Sequence, residues 1–275
     1  MAKPFFIVSS GRSGTAMLHK ALSAKPLVSM HHEYAVEVTQ PLAVRRYLGL
    51  ADEAETRATL HQIYALPVAD CKTALWGDSS NKVSWLISDL AALFAEARFV
   101  HLVRDGRKVA SSYFHKLGDE CYDDVSSAMM QAHYDDPVQI PAPPPEKPYW
   151  WPVPRRGTPE ADQFRHWDQF QRIAWHWAEI NRVAMAALAA LPRERSLFVR
   201  LEDLRAAPSE VRAVYEFLNL PFKDSDFAQF ARPHNVNRPE DRLLDRRQRG
   251  QFDAIAGDMM RQLGYAGTAE YRVKY

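Results

Sequence analysis

A short apolar run near the N-terminus ends in a loop bracketed by two glycines and continues as a helical segment. Residues 5–9 have the composition of a buried strand, Gly11 and Gly14 bracket the loop, and residues 16–22 have helical character. In such a loop, backbone N–H groups can point at an anion, and the positive end of the following helix adds to the attraction. This start predicts an α/β fold with a phosphate-binding loop.

The side chains of the loop also suit oxyanions. Arg12, Ser13 and Thr15 supply hydrogen-bond donors, while Gly11 and Gly14 permit tight turns and a close approach of the backbone. The loop of nucleoside-triphosphate enzymes places four residues between its glycines and continues with Lys-Ser or Lys-Thr. Here two residues separate the glycines and no lysine follows the second one. The pattern therefore predicts a phosphate-binding loop that differs from the loop of nucleoside-triphosphate enzymes.

Further apolar runs indicate how the sheet continues. Residues 99–103 and 196–201 read as buried strands, and residues 73–77 form another candidate that ends at Asp78. Helical patterns at 84–97, 163–191 and 209–220 alternate with them. This alternation predicts an α/β, P-loop-like three-layer fold with a mostly parallel central sheet, which binds ligands at the carboxyl ends of its strands. A length of 275 residues, 47% of them hydrophobic, suits one domain over residues 1–275.

The net charge indicates which partners the chain can bind, and the cysteine content indicates the compartment in which it works. The net charge of +1 gives no general attraction for nucleic acid, so local basic clusters must provide any anion binding. Two cysteines, Cys71 and Cys121, do not make a disulfide framework, which favours a reducing compartment. The chain enters its first strand without room for a signal peptide, and no apolar run reaches the ~18 residues of a membrane span. We therefore expect a cytoplasmic protein of open oligomeric state.

A proline-rich insert interrupts the alternation at about 136–160. Its prolines exclude a regular helix or a central strand, and Tyr149, Trp150 and Trp151 stand among them. The insert is either a surface excursion or a lid that forms one wall of an acceptor site, because long ordered loops are often functional. The aromatic residues suit stacking on a sugar or an aromatic acceptor, and they equally suit anchoring of the loop.

A second predicted strand end carries a similar set of donors. The strand at 99–103 is followed by Arg104, by a turn at Asp105 and Gly106, and by a helix that contains Ser112. Because Arg104 and Ser112 lie eight residues apart, a strand-end guanidinium and a helical hydroxyl can converge on one phosphate. Taken alone, the segment is also typical of an Arg–Asp surface turn before an ordinary helix.

Together, the two segments resemble the sulfotransferase family that uses 3′-phosphoadenosine 5′-phosphosulfate (PAPS). The later segment 197–204 resembles a further signature of that family. The resemblance implies that Arg104 and Ser112 hold the 3′-phosphate and that adenosine 3′,5′-bisphosphate is the product. No metal is expected, because the sequence has no His-Glu-x-x-His or Cys-x-x-Cys pattern and the adjacent His31 and His32 would not face one ion. The positions implied for the 5′-phosphosulfate are those of the first loop: Gly11, Arg12, Ser13, Gly14, Thr15 and Ala16.

The chain departs from many members of that family at three places. Arg12 stands where many cytosolic members have lysine, and Leu201 stands where many have a tyrosine that contacts adenine. The basic run 246–250 resembles loosely a clamp on the 3′-phosphate and equally resembles a solvated basic turn.

Sulfuryl transfer needs a base for the proton of the acceptor. Several carbohydrate, tyrosylprotein and bacterial sulfotransferases use a glutamate soon after the first helix, which implies Glu33 here, with Arg12 acting on the leaving phosphate and the sulfuryl oxygens. Cytosolic members use the histidine of a Lys-Thr-His strand, but here Lys-Thr is followed by Ala74. His32 and Asp78 are further candidates, and Glu33 could instead cap a helix.

The predicted reaction is in-line transfer from PAPS to a hydroxyl or amine of a small-molecule, carbohydrate or peptide acceptor. One alternative is a P-loop nucleotide kinase, which would need a lysine after the loop and a strand-end aspartate for Mg²⁺. Another is a non-catalytic nucleotide-binding protein of the same fold, which would tolerate Glu33→Gln.

Overall fold

The computed structural model describes residues 2–230 and 242–270. The strands of these residues are β1 (Lys3–Val8), β2 (Val28–His32), β3 (Leu75–Ser79), β4 (Arg98–Val103) and β5 (Ser196–Arg200). The α-helices are α1 (Thr15–Ser23), α2 (Val36–Leu48), α3 (Glu53–Asp70), α4 (Ile87–Leu93), α5 (Gly106–Lys116), α6 (Asp124–Asp135), α7 (Ala161–Phe164), α8 (Gln169–Ala189), α9 (Leu201–Ala206), α10 (Pro208–Phe217), α11 (Asp224–Phe227) and α12 (Arg246–Gln262). Short 3₁₀ turns are Val83–Trp85, Lys147–Tyr149 and Arg193–Arg195.

The strands form one five-stranded sheet in the order β2-β3-β1-β4-β5, and every pairing is parallel. The predicted α/β class with a mostly parallel sheet is thus confirmed, and the sheet of the described residues is wholly parallel. The four predicted strands are present within two residues of their expected ends. The sequence analysis missed β2, in which only Val28 is buried.

Hydrophobic clusters cover both faces of the sheet, so the fold has three layers. Phe6 faces α8 and α3, and its ring stacks on Phe99 of the neighbouring strand with centroids 5.6 Å apart. Phe5 and Ile7 face the opposite way, against α1 and α10. Because both faces are covered, a central strand such as β1 reads as a continuous apolar run.

The predicted long helix over 163–191 is two helices rather than one. A short helix, α7, ends at Phe164, and α8 begins after Asp168. The side chain of Asp168 accepts a hydrogen bond from the backbone N–H of Gln171, while the Gln171 side chain accepts from the Asp168 N–H. This capping box starts a new helix at that point. The helix expected at 84–97 is also shorter, because α4 ends at Leu93.

The C-terminal half of the proline-rich insert packs against the core. Trp150, Trp151 and Val153 are buried. The side-chain amide of Gln40 on α2 donates to the carbonyls of Lys147 and Trp150, at 3.0 and 2.7 Å. This part of the insert is therefore held in place by the core, and its tryptophans anchor it.

Neither cysteine forms a disulfide, and Cys121 is buried. Within residues 2–230 and 242–270, no helix combines the length and apolar content that crossing a membrane requires.

Candidate active site

The carboxyl ends of four adjacent strands bring the site together. The loop 9–14 follows β1, Glu33 follows β2, Lys82 lies three residues beyond β3, and Arg104 follows β4. In a parallel sheet these ends lie on one edge, where α/β folds bind their ligands.

The loop after β1 has an unusual backbone. Gly11, Arg12 and Gly14 have φ angles of 78°, 54° and 95°, in the left-handed region. A Cβ atom on Gly11 would lie 2.0 Å from the hydroxyl of Tyr113, and one on Gly14 would lie 2.6 Å from the Cδ1 atom of Leu201. Both glycines are therefore required by backbone conformation and by close packing under the loop.

Ser13 supports the loop from inside. Its side chain is fully buried, its hydroxyl donates to the carbonyl of Gly11 at 3.0 Å, and it lies 3.0 Å from the hydroxyl of Ser10. In this arrangement the Ser13 hydroxyl is hydrogen-bonded within the loop. Thr15 and Ala16 form the start of α1, whose N-cap Gly14 offers no side-chain cap to the first-turn N–H groups. The Met17 N–H donates to the carbonyl of Gly14 at 3.0 Å, so the N–H groups of Thr15 and Ala16 are the ones that suit an anion.

Hydrogen bonds join this loop to the segment after β4. The guanidinium of Arg104 donates to the backbone carbonyl of Arg12 at 2.9 Å. The Nε atom of Arg12 in turn donates to the hydroxyl of Ser112 on α5 at 3.0 Å. The two donor-rich segments predicted from the sequence are thus one continuous surface.

An ion pair lies at the neighbouring strand ends. The ammonium of Lys82 is 2.8 Å from a carboxylate oxygen of Glu33, and the lysine is almost fully buried. Burial acts to raise the pKa of Glu33, but Lys82, assisted by Lys147 and His32, outweighs it and leaves that pKa below its ordinary value. Burial lowers the pKa of Lys82, and Glu33 offsets only part of that. Glu33 has a φ of 53°, a strained conformation that is frequent at functional sites.

The two other candidate bases have different surroundings. Asp78 is buried and accepts hydrogen bonds from the Tyr34 N–H at 3.2 Å and from the Tyr64 hydroxyl at 3.1 Å. Burial raises the pKa of Asp78 to about 7. His32 is exposed, and its Nδ1 lies 2.8 Å from the hydroxyl of Ser79. Because its carboxylate accepts the hydrogen bond from the Tyr34 N–H, Asp78 fixes the backbone of the Glu33–Tyr34 turn.

Two further sequence expectations concern adenine and the 3′-phosphate. Leu201 is buried beneath Gly14, so its side chain supports the loop. The basic run 246–250 opens α12, where the exposed Arg247 pairs with Asp168 at 2.8 Å. The residue that contacts α5 through its backbone lies earlier in the chain than this basic run. It is Arg242, whose carbonyl accepts a hydrogen bond from the Ser111 hydroxyl at 2.9 Å.

Lys82 and Lys147 are the charged residues that the sequence analysis missed. Lys82 follows a predicted strand at short distance, which is a usable signal, since ligands collect at such ends. Lys147 lies in the insert, where its backbone carbonyl accepts a hydrogen bond from Gln40, and its charge acts on the pKa of both members of the pair. No cluster of three or more His, Cys, Asp or Glu side chains suited to a metal ion occurs in the part of the chain that the structure describes.

Comparisons with known proteins identify the family of the chain. The family model described as "Sulfotransferase family" matches residues 4–140, about half of the chain. No curated protein matches the sequence significantly.

Three solved structures share the fold. A sulfotransferase from Alicyclobacillus acidocaldarius is 15% identical with a TM-score of 0.53, and the match covers 96% of this chain and 95% of that one. The sulfotransferase domain of the Synechococcus PCC 7002 olefin synthase is 17% identical with a TM-score of 0.52, covering 98% and 96%. The sulfotransferase STF9 from Mycobacterium avium is 13% identical with a TM-score of 0.53, covering 98% and 79%. At such identities the likeness shows the fold alone.

Proposed function

Since the chain belongs to the sulfotransferase family, we propose that it transfers the sulfuryl group of PAPS to an acceptor hydroxyl, with Glu33 as the base. One observation carries the proposal: the guanidinium of Arg104 lies against the backbone of the phosphate loop, 2.9 Å from the carbonyl of Arg12. Two anion sites on one surface match a donor that carries phosphate groups on both sides of one ribose.

The 5′-phosphosulfate binds at the first loop. The N–H groups that begin α1, together with the Arg12 guanidinium, supply donors and positive charge for its oxygens. Arg104 and Ser112 bind the 3′-phosphate on the other side of Arg12. Arginine suits this role because its fork of N–H groups matches the phosphate oxygens.

Transfer forms a bond between the acceptor oxygen and sulfur and breaks the bond between sulfur and the bridging oxygen of the 5′-phosphate. Adenosine 3′,5′-bisphosphate leaves, and Glu33 accepts the acceptor's proton. Arg12 and Lys82 stabilise the negative charge that develops on the sulfuryl and leaving-group oxygens. Positioning and electrostatics of this kind need no covalent intermediate.

The lowered pKa of Glu33 bears on its role. A carboxylate paired with Lys82 is ionised at neutral pH and ready to accept a hydrogen bond from the acceptor. It is a weaker base than an unpaired buried carboxylate. In a loose transition state the acceptor oxygen loses its proton late, so a carboxylate of lowered pKa still serves as the proton acceptor.

The geometry disfavours the kinase alternative. Asp78 is the strand-end aspartate that such an enzyme would place on Mg²⁺, and its carboxylate is buried and bonded to Tyr34 and Tyr64. A lysine after the loop is missing as well.

A thermal-shift comparison tests the proposal. Adenosine 3′,5′-bisphosphate at about 100 times its Kd stabilises the protein by about 2.7 kcal/mol, whereas ATP with Mg²⁺ gives a smaller shift. Incubation with ³⁵S-labelled PAPS and a set of alcohols then yields labelled product. Stabilisation by ATP with Mg²⁺ alone would overturn the proposal. If adenosine 3′,5′-bisphosphate binds equally to the wild type and to Glu33→Gln, and the wild type transfers no sulfuryl group, the non-catalytic alternative is favoured.

A further inference from the structure

The solvent-facing side of α6 is apolar. In the part of the chain that the structure describes, eight large hydrophobic side chains are exposed, and half of them fall within residues 125–140: Val125, Met129, Val138 and Ile140. Val125 and Met129 are about one turn apart on α6, and Ala128 and Ala132 lie on the same side of the helix. A surface helix usually turns charged or polar side chains to solvent. An apolar row of this kind is typical of a surface that binds another molecule.

The start of the insert extends this row. After α6 the chain turns back, because the Ile140 N–H donates to the carbonyl of Asp136 at 2.9 Å. The Nδ1 atom of His133, four residues after Met129 on α6, donates to the carbonyl of Ile140 at 2.8 Å. The backbone of Ile140 is thereby held against the end of α6, and Val138 lies in the same turn. We call the four exposed apolar residues the α6 face.

The shape of the α6 face suits a second helix. The helix α6 has 12 residues and is therefore about 18 Å long. The small side chains of Ala128 and Ala132 lie beside the larger Val125 and Met129, so a groove runs along the exposed side of the helix. The ridge of another helix packs into a groove of this kind. An amphipathic helix binds in this way through apolar residues that are spaced three and four positions apart.

Carboxylates surround the α6 face. Residues 117–146 contain seven Asp or Glu side chains and no lysine or arginine. Arginines from later in the chain offset part of this charge, since Arg172 pairs with Asp124 at 2.7 Å and Arg165 pairs with Asp135 at 3.3 Å. The guanidinium of Arg156 also donates to the carbonyl of Asp135, at 2.8 Å. The carboxylates outnumber these arginines, so the segment carries a net negative charge.

This charge distinguishes between the possible occupants of the α6 face. A second copy that offered the same face would bring carboxylates opposite carboxylates, and an anionic lipid surface would meet the same repulsion. Lysine or arginine side chains on the flanks of an amphipathic helix would instead attract these carboxylates. A basic helix is therefore the occupant that matches both the apolar row and its surroundings.

We propose that the α6 face is a docking site for a partner protein that presents a basic amphipathic helix. The apolar side chains of that helix lie on the α6 face, and its lysines or arginines face the surrounding carboxylates. This inference does not depend on sulfuryl transfer, because none of the four residues is assigned to the donor or to the acceptor.

Binding of synthetic peptides tests the inference without any turnover. The first peptide carries leucine at helical spacing and lysine elsewhere, the second replaces each lysine by glutamate, and the third has the first composition in an order without helical spacing. Fluorescence anisotropy of the labelled peptides gives their affinities for the wild-type protein. We expect the first peptide to bind about 10-fold or more tightly than either control, and to bind less tightly when the salt concentration rises from about 0.05 M to about 0.5 M. Equal binding of the basic and acidic peptides would overturn the inference.

A double variant, Val125→Gln with Met129→Gln, removes the apolar centre of the α6 face and keeps side chains that a helix accepts. Leu66→Gln is the matched control, because Leu66 is an exposed apolar residue on a different helix, α3. We expect the affinity for the basic peptide to fall about 10-fold or more in the double variant and to stay unchanged in Leu66→Gln. Unchanged affinity in the double variant would contradict the location of the site. If the double variant does not fold, the ratio between the peptides on the wild type decides.

Two further measurements test the other occupants. Sedimentation velocity detects self-association, and co-sedimentation with phosphatidylserine vesicles detects lipid binding. We expect neither to depend on Val125 and Met129. A dimer or a vesicle complex that the double variant abolishes would overturn the inference in favour of that occupant. Peptide binding by a protein that transfers no sulfuryl group would refute the proposed function and leave this inference standing.

Discussion

The ammonium of Lys82 lies 2.8 Å from the carboxylate of Glu33, across the ends of two adjacent parallel strands. Burial favours the neutral form of each group, whereas the charge of each partner favours the ionised form of the other. The site therefore holds an ionised carboxylate beside a buried cation, next to the loop that the proposal assigns to the donor's phosphosulfate.

Glu33→Gln keeps the shape of the side chain and removes the base. We expect turnover with PAPS to fall by roughly 10²–10⁴-fold, the usual contribution of a general base. The affinity for adenosine 3′,5′-bisphosphate, measured by calorimetry, changes little. Turnover close to that of the wild type would assign the proton to another group.

Lys82→Met removes the cation that lowers the pKa of Glu33. Burial then acts without that opposing charge, so the pKa of Glu33 rises and the acid limb of kcat/KM moves to higher pH. The pH profiles of wild type and variant are compared, with the exposed Lys20→Met as control. An acid limb that stays in place would show that Glu33 does not control it.

Arg104→Ala removes the guanidinium assigned to the 3′-phosphate. We expect the affinity for adenosine 3′,5′-bisphosphate to fall about 10- to 100-fold, as for a lost charge-assisted hydrogen bond, with little change for adenosine 5′-phosphate. Arg165→Ala, at an exposed arginine shortly after the insert, serves as the control. Equal losses for both nucleotides would mean that Arg104 supports the loop rather than the phosphate.

Gly14→Ala tests the packing of the loop. A left-handed alanine costs roughly 1–2 kcal/mol, and at this position its Cβ would also meet Leu201 at 2.6 Å. Gly157→Ala is a matched control, because Gly157 has a φ of 79° and no atom within 4 Å of an added Cβ. Chemical denaturation should show the larger loss for Gly14→Ala, and a smaller loss when Gly14→Ala is introduced into a Leu201→Ala background, where the clash is absent. Equal losses in both variants would refute the contact.

Asp78→Asn tests the buried carboxyl behind Glu33. The pKa of Asp78 is about 7 in the folded protein and 3.8 ordinarily, so between these values the folded state holds a proton that the unfolded chain has lost. Wild-type stability therefore falls as the pH rises towards 7, and the variant lacks this effect. The free energy of unfolding of the variant relative to wild type should rise by roughly 2–3 kcal/mol from pH 5 to pH 8. A difference independent of pH would contradict the raised pKa.

Local sequence patterns predicted most of the fold. The apolar run before Gly11 and the one before Arg104 predicted two strands of one parallel sheet, because buried strands and their polar ends are contiguous in sequence. The edge strand β2 was missed since only Val28 of its five residues is buried, which leaves no apolar run.

The direction of side chains and the pairing of distant residues were not predictable. Ser13 has the residue type of a phosphate ligand, yet its hydroxyl turns into the loop. Lys82 contacts Glu33 although the two residues lie 49 positions apart in the sequence, and no periodicity predicts such a contact. Leu201 was noted for the tyrosine it replaces, whereas its packing on Gly14 became visible only in three dimensions.

Calorimetry of three nucleotides on the wild-type protein tests most directly whether one surface holds both phosphate groups of the donor. Adenosine 3′,5′-bisphosphate should bind at least 10-fold more tightly than adenosine 5′-phosphate and than adenosine 3′-phosphate, because each monophosphate leaves one anion site without its ligand. If either monophosphate binds as tightly as the bisphosphate, the two sites do not act on one donor molecule, and the account is wrong.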